Sequence, residues 1–185
     1  MTDEIVREAE TKMGKSVEAL VQALTSIRTG RANPALIDRV MVPYYGTPTP
    51  LNQLAQISAP EARLILVQVY DRSQLAVIEK ALRAPELGLN PGNDGSVIRV
   101  PIPPLTEERR REYVKLVKAR AEEARVAVRN VRRDEIHRVD QQVKENILSE
   151  DDARDMKDRL QKVTDSHIGQ VDSIATRKEA EVMEV

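Results

Sequence analysis

Residues 101–133 read PIPPLTEERRREYVKLVKARAEEARVAVRNVRR, and the texture changes abruptly inside them. Pro101, Pro103 and Pro104 cannot sit inside a helix, because proline lacks the amide proton and its ring clashes with the preceding turn. Thr106 then reads as an N-cap, with Glu107 and Glu108 in the first turn, where the helix dipole favours negative charge. From there to residue 185 there is no proline. Val117, Ala121, Ala124, Val128, Val131, Val139, Val143 and Ile147 keep one face apolar, which predicts a helix of about 40 residues, roughly 60 Å at the α-helical rise. Ser149-Glu150-Asp151-Asp152 is a second start signal, and Met156, Leu160, Val163, Val171 and Ile174 form the stripe of a further long helix.

Upstream of Pro101 the pattern differs. All ten prolines fall between Arg31 and Leu105, so no long helix fits there. Val40-Met41-Val42, Leu64 to Tyr70 and Val97 to Val100 read as strands, and Leu75, Ile78 and Leu82 sit at helical spacing between Ser73 and Ala84. Before this region Ile5, Ala9, Met13, Val17, Leu20, Leu24 and Ile27 again mark one helical face, with Gly30 as the residue expected to close the helix in the left-handed conformation. The expected fold class is therefore α+β, an elongated three-helix bundle with an inserted small α/β domain. Residues 1–29 and 106–185 form the bundle and 31–104 the insert. The chain crosses between them near 30–31 and 103–105, at Thr29-Gly30 and at Pro103-Pro104-Leu105. These crossings read equally as an ordinary junction or as a hinge, since proline stiffens what glycine loosens.

Composition narrows the function. The 185 residues contain no Cys, Trp or Phe, which excludes disulfides, thiolate metal sites and cysteine nucleophiles and leaves aliphatic side chains to fill the core. The start MTDEIVREAE is acidic and amphipathic, unlike an export signal, and no apolar run approaches a membrane span, so a cytoplasmic protein without a membrane partner is expected. A net charge of −1 conceals strong asymmetry. Residues 107–133 carry ten Lys and Arg against five acids, whereas residues 134–185 carry eight against fourteen.

That basic stretch is ordered. Arg111, Lys115, Lys118, Arg125, Arg129 and Arg132 cluster about a quarter-turn from the apolar stripe, a basic edge interrupted by Glu122. Arg133 and the segment Arg28-Thr29-Gly30-Arg31 extend it if the first helix lies alongside. Guanidinium forks match phosphate oxygens, so such an edge suits a nucleic-acid backbone. The competing reading is a solvated face that only keeps the bundle soluble. Aromatic side chains for base stacking are missing from it, which favours recognition by shape and phosphate over base reading. His137 and His167 lack companions at metal-ligand spacing, and the turn Asn90-Pro91-Gly92-Asn93-Asp94-Gly95 lacks the pattern of a phosphate-binding loop. No catalytic pair emerges. A protein–protein scaffold remains a rival, because long apolar stripes also dock partner helices, and a small hydrolase in the insert has no nucleophile pair to support it.

Several stretches resemble a known family. RTGRA at 28–32, YYGTPTPLNQLA at 44–55, LGLNP at 87–91 with NDG at 93–95, LTEERR at 105–110 and VRNVRRD at 128–134 are similar, in order and over nearly the whole chain, to the ribosome recycling factors. The resemblance implies a non-enzymatic protein, with no cofactor, that enters the post-termination ribosome. With elongation factor G, and GTP hydrolysed by that factor, it would help separate the subunits. The expected partners are the 70S ribosome, the 50S subunit and elongation factor G, and a monomer is expected. The resemblance further implies that the bundle holds large-subunit ribosomal RNA through arginines corresponding to Arg28, Arg31, Arg129 and Arg132, and that the insert swings about the two crossings. The charge pattern adds Lys118, Arg125 and Arg133 to the candidate RNA-binding set. Val69 and Ala84-Pro85-Glu86 depart from the family's usual pattern, both inside the insert.

Overall fold

The computed structural model of the chain describes residues 2–184. In chain order the elements are α1 (Thr2–Thr25), β1 (Met41–Tyr44), β2 (Thr47–Pro50), the single turn α2 (Leu51–Leu54), β3 (Ala55–Glu61), β4 (Leu64–Val69), α3 (Leu75–Leu82), β5 (Gly92–Asn93), β6 (Val97–Pro101), α4 (Glu107–Lys144) and α5 (Glu150–Met183). Short 3-10 turns lie at Pro34–Leu36 and Arg72–Gln74. The chain divides into two compact units, residues 2–29 with 107–184 and residues 30–106.

The first unit consists of α1, α4 and α5. Val17, Leu20, Leu24 and Ile27 pack with Val117, Ala121 and Ala124 of α4 and with Val171, Ala175 and Val182 of α5. Ile5, Ala9 and Met13 pack with Val128, Val139, Met156 and Leu160. The early part of α1 thus meets the late part of α4 and the early part of α5, so α4 runs antiparallel to both other helices. Each fully buried Leu, Ile, Val or Met contributes about 1.5–3 kcal/mol relative to exposure, and the alanines of α4 let the helices approach closely, with the half-buried Tyr113 packed against the first of these clusters.

The helix ends differ from expectation in two places. α1 stops at Thr25, and the Ser26 hydroxyl donates to the Ala23 carbonyl at 2.9 Å. Gly30, with φ +74, does not close α1. An added Cβ there would make only ordinary contact with Leu105, 3.6 Å from its Cγ, so the left-handed backbone where the two crossing segments of the second unit meet, and not a lack of space, is what favours glycine. Ile147 lies beyond the end of α4 and is 51% exposed, hence not part of the apolar face. The reason is the turn at Asn146, whose φ of +57 redirects the chain before α5. At that next start the Ser149 hydroxyl oxygen accepts from the Asp152 amide at 3.1 Å, satisfying one of the amides a helix start leaves open.

A charged group lies inside this bundle. Glu135 of α4 is 2% exposed, and Lys12 Nζ of α1 donates to its Oε1 at 2.6 Å. Its Oε2 is 3.5 Å from Arg138 Nη1, and the same Nη1 reaches Glu8 at 2.5 Å. These groups join α1 to α4 across the half of the bundle filled by Ile5, Ala9 and Met13.

In the second unit β1 and β2 form a two-stranded ribbon, while the other strands make an antiparallel sheet in the order β3-β4-β6-β5. Ile65 and Val67 of β4 pair with Val100 and Ile98 of β6. All four point into a core with Val42, Leu51, Ile78 and Leu82. β2 was not expected as a strand because it carries Pro48 and Pro50. Proline is tolerated on a ribbon that offers free edges, and the turn Tyr45-Gly46, with φ of +46 and +81, has the left-handed backbone of a two-residue hairpin. The polar, largely exposed β3 was likewise hidden from periodicity.

Candidate nucleic-acid interface

The basic edge of α4 comes together as spacing requires, but it borders α5. Arg125 Nε donates to Asp172 Oδ1 of α5 at 2.8 Å, and its Nη1 donates to Glu122 Oε2 at 2.9 Å. Arg132 Nη1 donates to Gln161 Oε1 of α5 at 2.8 Å, while its Nε is buried without a hydrogen bond. Arg129 is 3.5 Å from Glu122. Lys118 and Arg133 are exposed on the same helix. Arg28 is half-buried in the turn after α1, next to the buried Ile27, and belongs to the first unit. Arg31 is exposed and belongs to the second unit. Of the crossing residues, Thr29, Gly30 and Leu105 are half-buried, whereas Pro103 and Pro104 are exposed.

These positions sort the candidates by their chemistry. Arg125 is partly enclosed, its side chain 25% exposed. The bond it donates to Asp172 holds its guanidinium pKa above the ordinary value, helped by Glu122 and opposed by partial burial. Two anchored donors of its guanidinium, one to Asp172 of α5 and one to Glu122 of its own helix, make it a clamp between α4 and α5. Arg125→Ala is accordingly expected to lower stability in urea unfolding by about 1 kcal/mol, the exposure of both acids having screened the pair. Unchanged stability would remove the clamp role. Arg129, Arg133 and Lys118 keep more of their donors directed outward.

The neighbour of the edge was the part that spacing on α4 did not reveal. A signal did exist: Gln161, Asp165 and Asp172 are separated by steps of 4 and 7, which places them on one face of α5. Gln161 Nε2 in turn donates to Asp165 at 2.8 Å. The acidic helix therefore orients the basic edge while competing for it.

A family model described as "Ribosome recycling factor" matches residues 20–183. Proteins named ribosome-recycling factor from Geobacillus kaustophilus and Heliobacterium modesticaldum are 54% and 56% identical, each over the full length of both chains. The chain belongs to the ribosome recycling factor family. Among solved structures, a solution structure of the ribosome recycling factor covers all of this chain and 98% of its own, with 44% identity and a TM-score of 0.76. A second, with 44% identity and a TM-score of 0.66 over the whole of both chains, is the T. thermophilus ribosome recycling factor with the E. coli elongation factor G bound to the E. coli post-termination complex.

The two histidines of this recycling-factor chain are not among the residues of the basic edge. His167 Nδ1 lies 2.7 Å from the Val163 carbonyl oxygen one turn earlier on α5, and His137 is exposed on α4. Among the described residues no group of three or more His, Asp or Glu side chains is placed to hold a metal ion, and no helix is long and apolar enough to cross a membrane.

Proposed function

We propose that this chain recycles ribosomes by gripping large-subunit ribosomal RNA with the basic edge of α4, using Arg129, Arg132, Arg133 and Lys118, with Arg28 and Arg31 as further contacts and Arg125 as their clamp. The observation that carries the reading is a row of guanidinium groups on one helix edge, with Arg132 and Arg125 held in place by Gln161 and Asp172. Donors fixed in advance lose less freedom when they meet phosphate oxygens. Acting in the cytoplasm as a monomer, the protein works on the post-termination ribosome with elongation factor G, which hydrolyses the GTP, and subunit dissociation follows. This chain supplies binding and shape and catalyses no reaction itself.

The crossings at Thr29-Gly30 and Pro103-Pro104-Leu105 act as the hinge between bundle (residues 1–29 and 106–185) and insert (31–104). Gly30 occupies a left-handed conformation costly for other residues, and the paired prolines stiffen the second crossing. Two covalent links allow bending while restricting twist.

Sedimentation with 50S subunits across a salt series tests the grip. Wild type is expected to bind with steep salt dependence, and Arg132→Ala should bind more weakly with the slope of log K against log salt reduced by about one. Identical curves for both proteins would place the grip elsewhere.

A further inference from the structure

The second unit holds a cleft of about 310 Å³ remote in sequence from the basic edge of α4. It is lined by Tyr44 at the end of β1, Tyr70 just after β4, Leu54 of α2 and the polar residues Thr49, Gln53, Asp71 and Gln74. The Tyr70 amide donates to the Leu54 carbonyl at 3.1 Å, which ties the end of β4 to the end of α2 and fixes the spacing of the lining. None of the lining residues is cationic.

Asp71 is only half used by the fold. Its Oδ1 accepts from the Ser73 amide at 3.0 Å and from the Ser73 hydroxyl at 2.7 Å, capping the 3-10 turn at Arg72–Gln74. Those bonds, the hydroxyl's first, hold the carboxyl below its ordinary pKa, so it is charged at neutral pH. Oδ2 has the Tyr45 hydroxyl at 3.5 Å, beyond the usual range for such a bond.

Tyr45 itself is unusual. It is 75% exposed and takes a left-handed φ of +46, at a turn position where Asn, Asp or Gly fits with less strain. A residue other than these pays about 1–2 kcal/mol there. Its ring meets Tyr44 edge to face at 4.6 Å. Tyr70 is 70% exposed. Large exposed aromatic rings and tolerated backbone strain beside a half-free carboxylate are features of a binding surface.

We propose that this cleft receives an arginine side chain of a protein partner, its guanidinium lying on the tyrosine rings and donating to Asp71 Oδ2. Tyrosine faces and a carboxylate attract cations, and a planar, weakly hydrated guanidinium both stacks and forks in a way a lysine ammonium does not. The volume lies at the bottom of the range for whole small-molecule ligands, which suits a single side chain. A phosphate would be repelled by Asp71, so the cleft is separate from the RNA grip and its test requires no ribosome.

Titration of the 15N-labelled full chain with N-acetyl-arginine amide tests the assignment by NMR. Saturable shifts are expected at the Gln53 and Gln74 side-chain amides and at the Ser73 backbone amide. N-acetyl-citrulline amide, of similar shape and no charge, should bind about tenfold more weakly, as should arginine amide to the Asp71→Asn variant. That variant keeps an oxygen for the Ser73 amide, and its unchanged spectrum elsewhere would certify the fold. No saturable shift at those residues up to the probe's solubility would overturn the proposal, as would equal binding of citrulline amide or undiminished binding by the variant. Equal affinity for N-acetyl-lysine amide would overturn the choice of arginine.

Discussion

Alanine at Arg129, Arg132 and Arg133 together is expected to weaken binding to 50S subunits at low salt by at least about a hundredfold. Hydrogen bonds to a charged group contribute about 1.5–3 kcal/mol each before solvent screening, so three losses exceed that factor even after a generous discount. The salt slope should fall by about two to three, because each neutralised phosphate contributes roughly 0.7–0.9. Folding should be little affected: Arg129 and Arg133 are exposed, and Arg132 gives up one bond to the neutral Gln161. Sedimentation over a salt series, with thermal unfolding followed by circular dichroism as control, separates the two effects. A triple variant with the wild-type slope would leave the edge of α4 as a solvated face.

Lys12→Met should destabilise the bundle by about 2–4 kcal/mol, the range for a buried charged group stripped of its main partner. Glu135 is 2% exposed, and without the 2.6 Å bond from Lys12 its carboxylate retains the Arg138 contact at 3.5 Å. Changing Lys12→Met and Glu135→Leu together should recover most of the loss, since apolar groups of similar size leave no charge unpaired. The bond that Lys12 donates to Glu135 raises the Lys12 pKa, against an opposing effect of desolvation. A raised lysine stabilises fully below its unfolded value of 10.5 and loses that contribution as pH climbs through the folded value. The gap between wild type and Lys12→Met is therefore flat through neutral pH and narrows only above 10.5. Urea unfolding at pH 7 and at alkaline pH measures both, and a single variant matching wild type at pH 7 would show that Glu135 does not depend on Lys12.

Much of the molecule was legible from spacing. Val117, Ala121, Ala124 and Val128 announce the buried face of α4, and the Ser149 cap marks the start of α5, because helical periodicity and capping are local properties. The end of α1 was misplaced by four residues. Gly30 does adopt the left-handed conformation, but in the crossing segment that lies against Leu105, 75 positions away in the chain, and not at the end of α1. β2 and β3 are not legible in the sequence because a hairpin turn and cross-strand pairing, rather than an apolar alternation, make them strands.

The candidate interface divides in the same way. By itself the sequence determined that six basic residues share one edge of a long helix, that the insert is built of short strands between two crossings, and that the motifs are those of the ribosome recycling factors. Only the tertiary structure decided that this edge lies beside the acidic α5, that Arg125 is clamped while Arg133 is exposed, that Glu135 is buried against Lys12, and that Tyr44, Tyr70 and Asp71 line one cleft. The physical reason is range. A helical face follows from residues three and four apart, whereas an ion pair or a cleft requires side chains that the packing of separate elements brings within a few ångströms.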